Sequence, residues 1–135
     1  MEIILANERH LDDIVRIERE NFSLPWSRAS FEEELYSGDS VFLAAVEDGR
    51  TLGFAILRAF DTEGEVFNIA VSGDARRRGT GGLLLKELLK NAAEKGVEKF
   101  FLEVRVSNEP AINLYKKYGF FVKIRLYSVV LSQNN

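Results

Sequence analysis

The chain has 135 residues, of which 46% are hydrophobic and 29% charged, and this composition predicts one globular domain, 1–135, with its own hydrophobic core. A net charge of −3 and a pI of about 5.3 argue against a general nucleic-acid-binding protein. The absence of cysteine excludes disulfides, thiolate metal sites and a cysteine nucleophile, and the single histidine, His10, cannot build a histidine-rich metal site.

The N-terminal half of the sequence predicts a strand, two helices and a β-hairpin. After the short strand EIILA, apolar residues recur at helical spacing from Leu11 onward, and the next helix begins at Ser27 or Ser30. Acidic residues are expected on the exposed faces of these two helices, namely Asp12, Asp13, Glu18, Glu32, Glu33 and Glu34. Residues 40–60 read as two strands joined by an Asp48-Gly49 turn, which is a strong hairpin signal.

The C-terminal half predicts three or four further strands and two helices. VFNIAV is a nearly continuous apolar run, as in a buried central strand, and the leucines after residue 82 form one stripe of a helix that Gly96 ends. KFFLEVRV predicts a strand, NEPAINLYKKYG a short helix capped by Ser107 or Asn108, and FFVKIRLYSVVLS one long or two short strands. This order predicts an α/β or α+β domain whose sheet has helices on both faces.

Two further features of the sequence bear on its location in the cell. The first 20 residues carry charges throughout, which argues against a signal peptide. No apolar run approaches the roughly 20 residues that a membrane span requires. We therefore expect a cytoplasmic protein that binds neither a membrane nor nucleic acid.

The segment DARRRGTGGLLL, at 74–85, joins VFNIAV to the leucine-rich helix and is a candidate anion site. Its glycines let a ligand approach the backbone, and the first helical turn offers unpaired N–H groups and the positive end of a dipole. A Walker loop is excluded because no Gly-Lys pair exists, and a dinucleotide fingerprint lacks its third glycine. The remaining pattern, R-x-x-G-x-G/A, fits a diphosphate that Arg77 or Arg78 attracts; the alternative is a plain structural turn.

Three polar residues follow on the next strand and helix. Glu103 alternates with Leu102 and Val104 and so lies on the opposite face of its strand, while Asn108 and Tyr115 belong to the short helix. Alone, each has a structural interpretation: a solvent-facing carboxylate, an N-cap and a core tyrosine. Together they suit direct acyl transfer, in which a carboxylate accepts the proton of an amine and a phenol protonates the leaving thiolate. The lack of cysteine and of a serine-histidine motif favours transfer without an acyl-enzyme intermediate.

Two stretches, NIAVSGDARRRGTGGLLL and LEVRVSNEPAINLYKKYGF, resemble motifs of the GCN5-related N-acetyltransferase (GNAT) family, and the similarity extends over nearly the whole chain. Within that family, FSLPWS, VFNIAV and LEVRVSN are most similar to enzymes that acetylate the N-terminal alanine of ribosomal protein S18. The resemblance implies a GNAT fold: a central mixed, mostly antiparallel sheet of six or seven strands with helices on both faces, splayed between strands 4 and 5.

The resemblance also implies where acetyl-CoA lies, namely in the opening between the strands at 66–71 and 99–105. Backbone groups of the first strand are expected to meet the pantetheine and thioester, the arginine- and glycine-rich loop to bind the pyrophosphate, and Asn108 to contact the CoA arm. The implied acetyl-CoA-binding residues are Ile69, Ala70, Val71, Arg76, Arg77, Arg78, Gly79, Thr80, Gly81, Gly82 and Asn108. No metal is expected.

For catalysis, the resemblance implies Glu103 as the general base and Tyr115 as the general acid. It implies that Trp26 and Tyr127 border the acceptor, and Trp26 can also form a hydrophobic staple before the second helix. Relatives of the S18 type carry a Tyr-Tyr-containing loop between their last two strands, and LYSVVLSQNN departs from this pattern.

The implied partners are acetyl-CoA and either a protein N-terminus, such as that of S18, or a small amine. The protein itself is expected to be a monomer or a homodimer. Two alternatives to N-terminal acetylation stay open at this point. One is acetylation of a lysine, a polyamine or another small amine. The other is a module that binds CoA without turnover, as a sensor or a subunit.

Overall fold

The computed structural model describes the backbone of residues 1–125 and 128–134 and the side chains of residues 1–121. Its strands are β1 (Glu2–Leu5), β2 (Ser40–Glu47), β3 (Arg50–Phe60), β4 (Glu63–Val71), β5 (Lys99–Arg105), β6 (Phe121–Arg125) and β7 (Ser128–Asn134). Its helices are α1 (Leu11–Asn21), α2 (Arg28–Tyr36), α3 (Thr80–Glu94) and α4 (Glu109–Lys117). In the part of the chain that the structure describes, none of these helices is long and apolar enough to cross a membrane.

The strands form one mixed sheet in the order β1-β2-β3-β4-β5-β7-β6, which confirms the predicted α+β architecture. Neighbouring strands are antiparallel except for β4 and β5, which are parallel. The β4–β5 pairing joins Glu63–Val66 to Lys99–Leu102 and, among the described residues, extends no further. The C-terminal ends of these two central strands therefore separate and leave an opening between them.

Two hydrophobic clusters, one on each face of the sheet, form the core. Along β2, Val41 and Leu43 belong to one cluster and Phe42 to the other, because side chains alternate between the faces of a strand. The cluster beneath α3 and α4 includes Leu57, Leu84, Leu85, Leu88, Ala92, Ile112 and Tyr115. The cluster beneath α1 and α2 includes Leu11, Ile14, Ile17, Phe31, Phe54, Ile56 and Ala70. Helices thus cover both faces, as predicted.

A β-bulge interrupts β4 at Phe67. Two consecutive residues of β3 lie opposite Val66 and Asn68, so that Phe67 is an extra residue in the strand. Val66 accordingly packs in the cluster beneath α3, while Asn68 faces α1 and donates a hydrogen bond to Glu18. The continuous apolar run VFNIAV carries no sign of this bulge.

The structure confirms the predicted hairpin turn and the predicted helix caps. Asp48 and Gly49 both have positive φ, 51° and 77°, as the predicted two-residue hairpin turn requires. Of the two candidate caps for α2, Ser27 is the one used, since its side chain accepts the backbone N–H of Ser30 at 3.1 Å. Asn108 caps α4.

Two acidic residues expected on exposed helix faces are buried. Glu18 of α1 is 1% exposed and Glu34 of α2 is 3% exposed, so the prediction was wrong for both. Glu34 forms an ion pair with Arg58 of β3, and Glu18 accepts a hydrogen bond from Asn68 of β4. A buried carboxylate is tolerated when such partners compensate it, and here the partners come from strands that helical periodicity cannot reveal.

Candidate active site

The first turn of α3 contains backbone N–H groups that have no hydrogen-bond partner among the described residues. Gly79 precedes the helix in the left-handed conformation, with φ of 76°, and the first helical hydrogen bond runs from the Leu83 N–H to the Gly79 carbonyl at 3.0 Å. The N–H groups of Thr80, Gly81 and Gly82 consequently have no partner within the helix. Together with the helix dipole they make this turn a suitable site for an anion.

A cleft of about 420 Å³ lies between this turn, the C-terminal end of β4 and the start of α4. It is lined by Asn21, Ile69, Ala70, Val71, Ala75, Arg76, Arg77, Gly79, Thr80, Gly81, Gly82, Pro110, Ala111 and Leu114. The cleft therefore brings together all of the residues predicted to bind the cofactor except Arg78 and Asn108. The lining residues on α1 and α4 were not among those predicted.

Two glycines in the first turn of α3 have close neighbours on the side where a Cβ would lie. A Cβ added at Gly81 would lie 3.6 Å from Leu114 Cδ2 and 3.8 Å from Val71 Cγ2, so it would occupy the space between two lining residues. A Cβ added at Gly82 would overlap the hydroxyl of Tyr118, whose ring lies against this turn. The shape and the free N–H groups fit a chain that ends in a diphosphate.

The three consecutive arginines of the loop have different surroundings. Arg76 donates to the Asn21 side chain at 2.8 Å. Arg78 contacts both carboxylate oxygens of Glu47 at 2.8 Å, and this hydrogen bond lowers the pKa of Glu47. Arg77, which has a positive φ of 65°, lines the cleft, and within the described residues its guanidinium has no hydrogen-bond or ion-pair partner. Arg77 therefore has its guanidinium available to a ligand in the cleft, whereas the guanidinium of Arg76, which also lines the cleft, is held by a neutral amide.

A second pocket, of about 430 Å³, contains Glu103. It is lined by Asn21, Phe22, Ser23, Leu24, Glu103, Val104, Arg105, Ser107 and Asn108. Glu103 is exposed on β5, while its neighbour Leu102 is buried in the core beneath α3, so the two side chains lie on opposite faces as predicted from alternation. Asn108 lines this pocket and caps α4, its Oδ1 accepting the Ala111 N–H at 3.3 Å. Because Asn21 lines both cavities, they adjoin at the end of α1.

Tyr115 is buried on α4, with 9% of its surface exposed. Its ring packs against Phe120 with ring centroids 5.8 Å apart. Burial raises the pKa of Tyr115 to about 12, so that its hydroxyl keeps its proton at neutral pH. Ala111, four residues earlier on the same helix face, lines the cleft. Tyr115 itself lies in the core cluster beneath α3 and α4 and lines neither the cleft nor the Glu103 pocket.

Trp26 forms the hydrophobic staple that was one of its two interpretations. It precedes the N-cap Ser27, and its ring lies 5.3 Å from that of Phe31 in the first turns of α2. It also meets the Phe67 ring edge-on at 6.3 Å. The other residue expected at the acceptor, Tyr127, lies outside the described residues.

Sequence reasoning missed Asn21, the residue that connects α1 to the cleft. Its amide nitrogen donates to the backbone oxygens of Ile17 at 2.8 Å and Val71 at 3.2 Å, and its oxygen accepts from Arg76. A polar residue at the end of a helix is common, and nothing in the local pattern distinguishes this one. Among the described residues, no group of three or more potential ligands could hold a metal ion.

The sequence and the fold are similar to those of known proteins. Residues 11–120 match the model of the Acetyltransferase (GNAT) family. A relative from Salmonella typhimurium, the [ribosomal protein bS18]-alanine N-acetyltransferase, is 39% identical over 108 residues, which cover 78% of this chain and 70% of that protein.

Two solved structures resemble the whole fold. The ribosomal-protein-S18-alanine N-acetyltransferase from Escherichia coli superposes with a TM-score of 0.89 and 28% identity, covering 98% of this chain and 92% of that one. The PaiA N-acetyltransferase from Thermoplasma acidophilum, solved in complex with coenzyme A, gives a TM-score of 0.88 at 20% identity, covering 99% of this chain and 98% of that one. From the family match and the 39% identical relative, it follows that the chain belongs to the GNAT family of acetyltransferases.

Proposed function

We propose that this protein transfers the acetyl group of acetyl-CoA to the N-terminal α-amine of a protein, with the N-terminal alanine of ribosomal protein bS18 as the acceptor. The relative that is 39% identical carries this activity in its name. The observation that carries the proposal is the opening between β4 and β5, with the α3 cleft on one side and the Glu103 pocket on the other. Such an acceptor would place the reaction in the cytoplasm.

The cleft residues hold the donor in this proposal. The N–H groups of Thr80, Gly81 and Gly82 bind the diphosphate of CoA, and Arg77 adds positive charge. On the side of the opening, the backbone of Ile69–Val71 is not paired with β5 among the described residues. The amides of the pantetheine arm can therefore add to this strand edge as an extended peptide does. This arrangement directs the thioester towards the Glu103 pocket.

The chemical step needs one group to remove a proton and one to supply a proton. Glu103 accepts a proton from the ammonium form of the acceptor, directly or through a water molecule, and the freed amine attacks the thioester carbonyl carbon. The C–N bond forms, the C–S bond breaks, and Tyr115 donates its proton to the departing thiolate. The attacking nitrogen loses its second proton as the amide forms, and this proton returns to the Tyr115 phenolate, directly or through water. No acyl-enzyme intermediate forms in this scheme, because the acceptor amine itself is the nucleophile.

We expect the neighbouring arginines to contribute unequally to CoA binding. Arg77→Ala should weaken CoA binding by about tenfold, the effect of losing one charge-assisted hydrogen bond. Arg78→Ala should change the CoA affinity by less than about twofold, since its guanidinium is held by Glu47. Isothermal titration calorimetry with CoA measures both.

Pantetheine, which lacks the diphosphate, is the control ligand for this pair of variants. Arg77→Ala should leave its affinity unchanged. A larger loss of CoA affinity in Arg78→Ala than in Arg77→Ala would contradict the assignment of Arg77 to the diphosphate.

The proposed acceptor is tested with three matched peptides. One begins with a free alanine and also contains lysine, the second is the same peptide with its α-amine blocked, and the third has only its lysine blocked. Release of CoA should occur with the first and third and not with the second. Turnover of the blocked peptide would indicate lysine acetylation, and turnover of polyamines alone a small-molecule acceptor. CoA binding without turnover of any amine would favour a non-catalytic module and reject the proposal.

A further inference from the structure

Glu18 is a buried carboxylate that the proposed reaction does not use. It is 1% exposed on α1, and both of its oxygens accept hydrogen bonds. Oε1 accepts from the Asn68 side-chain nitrogen at 2.6 Å, and Oε2 accepts from the Trp26 backbone N–H at 2.9 Å. Burial of a carboxylate is unfavourable unless such bonds compensate it. The positions of Asn68 and Trp26 therefore depend on the Glu18 carboxylate.

The two partners belong to opposite sides of the candidate active site. Asn68 follows the bulge in β4 and precedes Ile69, which lines the cleft proposed for acetyl-CoA. Trp26 ends the segment 22–26, which connects α1 to α2 and whose Ser23 and Leu24 line the Glu103 pocket. One side chain thus joins the wall of the acceptor pocket to the strand beside the donor cleft.

The segment 22–26 has little burial of its own to fix its position. Leu24 is 85% exposed, and Phe22 is 37% exposed. Trp26 is the residue through which the segment contacts the core, by its ring contact with Phe31 and by its hydrogen bond to Glu18. A change at Glu18 should therefore displace this segment more than it displaces the anion-binding turn of α3.

We propose that Glu18 is a positioning residue that holds the 22–26 segment against β4 and so sets the acceptor pocket around Glu103. It does not contact either substrate, because it is buried. The kinetic part of the inference rests on the proposed acetyl transfer, whereas the structural part does not. The two parts can therefore be tested separately.

The structural part is tested by the fluorescence of Trp26, which is the single tryptophan of the sequence. Glu18→Ala removes both hydrogen bonds, and we expect its emission to shift to longer wavelength and its quenching by acrylamide to increase. Glu18→Gln is the matched control, because its amide oxygen can accept from Trp26 while its nitrogen donates to a turned Asn68 amide. Its emission and quenching should match those of the unchanged protein. Emission and quenching that are unaltered in Glu18→Ala would overturn the proposal.

The kinetic part is tested by separate Michaelis constants for the two substrates. Glu18→Ala should raise the KM for the free-alanine peptide by about tenfold, the effect of losing a buried hydrogen bond, with the KM for acetyl-CoA changed by less than about twofold. Glu18→Gln should restore most of the peptide affinity. An equal rise in both constants, or none in either, would overturn the positioning role.

Asn68→Ala replaces Glu18→Ala if the latter does not fold. It removes one of the two hydrogen bonds and leaves the other, so we expect a smaller rise in the peptide KM and a smaller change in Trp26 emission. No change in either would again reject the proposal. If the unchanged protein does not acetylate the peptide at all, the proposed function fails, and the fluorescence comparison still decides whether Glu18 positions the segment.

Discussion

Replacement of Glu103 by glutamine is expected to lower acetyl transfer at pH 7 by about a hundredfold or more, the usual contribution of a general base. A free α-amine has a pKa near ~8, so most of the acceptor is protonated at pH 7 and must lose a proton before it can attack. Glutamine keeps the size and polarity of the side chain but cannot accept that proton. The measurement is the dependence of kcat/KM on pH with the free-alanine peptide.

The loss should be largest below the pKa of the acceptor amine and should decrease above it, because hydroxide and buffer then supply the free amine without help. Glu98→Gln makes the same charge change on an exposed residue just before β5 and should leave the profile unaltered. Calorimetry should show that Glu103→Gln still binds CoA. A variant whose pH profile matches that of the unchanged protein would remove Glu103 as the base.

The parts of the fold that could be predicted from the sequence are those decided by near neighbours in the chain. The hairpin turn at Asp48 and Gly49 requires two positive φ angles, and only a few residue types adopt them readily. The cap of α4 depends on Asn108 and the N–H three residues later. In each case the residues that determine the conformation are close to it in the sequence.

The buried acids were mispredicted because residue type was given more weight than spacing. Glu18 follows Leu11 by seven residues and Ile14 by four, so helical spacing alone places it on the apolar stripe. The charge of Glu18 led to the prediction that it lies on the exposed face. In the structure the buried carboxylate accepts a hydrogen bond from Asn68, which is fifty residues away in the sequence. The bulge that turns Asn68 towards α1 has no sequence signal, since the residues on both sides of Asn68, from Val66 to Val71, are apolar.

The candidate site likewise has features that the local sequence predicts and features that depend on tertiary contacts. The glycines and the helix start are local, and the cleft contains them as predicted. The different surroundings of Arg77 and Arg78 depend on Glu47, thirty-one residues from Arg78, which no pattern in the loop indicates. The distinction between the two arginines therefore needs the tertiary structure.

Replacement of Tyr115 by phenylalanine is expected to lower kcat by about a hundredfold, because it removes the proposed proton donor to the thiolate. Phenylalanine keeps the ring contact with Phe120, and Tyr115 does not line the cleft proposed for CoA, so CoA affinity should change by less than about twofold. With a pKa of about 12, Tyr115 remains protonated throughout the usual assay range. The unchanged enzyme should therefore show no alkaline loss of kcat from this group at pH 9.

Stability at high pH gives a second readout that does not require turnover. The pKa of Tyr115 is about 12 in the folded protein, and an exposed tyrosine in the unfolded chain has a pKa near ~10. The free energy of unfolding therefore decreases as the pH rises from about 10 to about 12, by at most about 3 kcal/mol. Tyr115→Phe should lack this part of the alkaline destabilisation, which urea denaturation at a series of pH values can measure.

Tyr118→Phe is the matched control, since it removes a phenol from the C-cap of the same helix. The Tyr118 hydroxyl lies against Gly82 in the anion-binding turn, so its loss should affect CoA affinity before it affects kcat. If Tyr118→Phe lost turnover while Tyr115→Phe kept it, the proton donor would be Tyr118 and the role of Tyr115 would be confined to the core. Loss of turnover in Tyr115→Phe alone, with its CoA affinity intact, would instead place the leaving thiolate within reach of the buried phenol, and so orient the thioester towards α4.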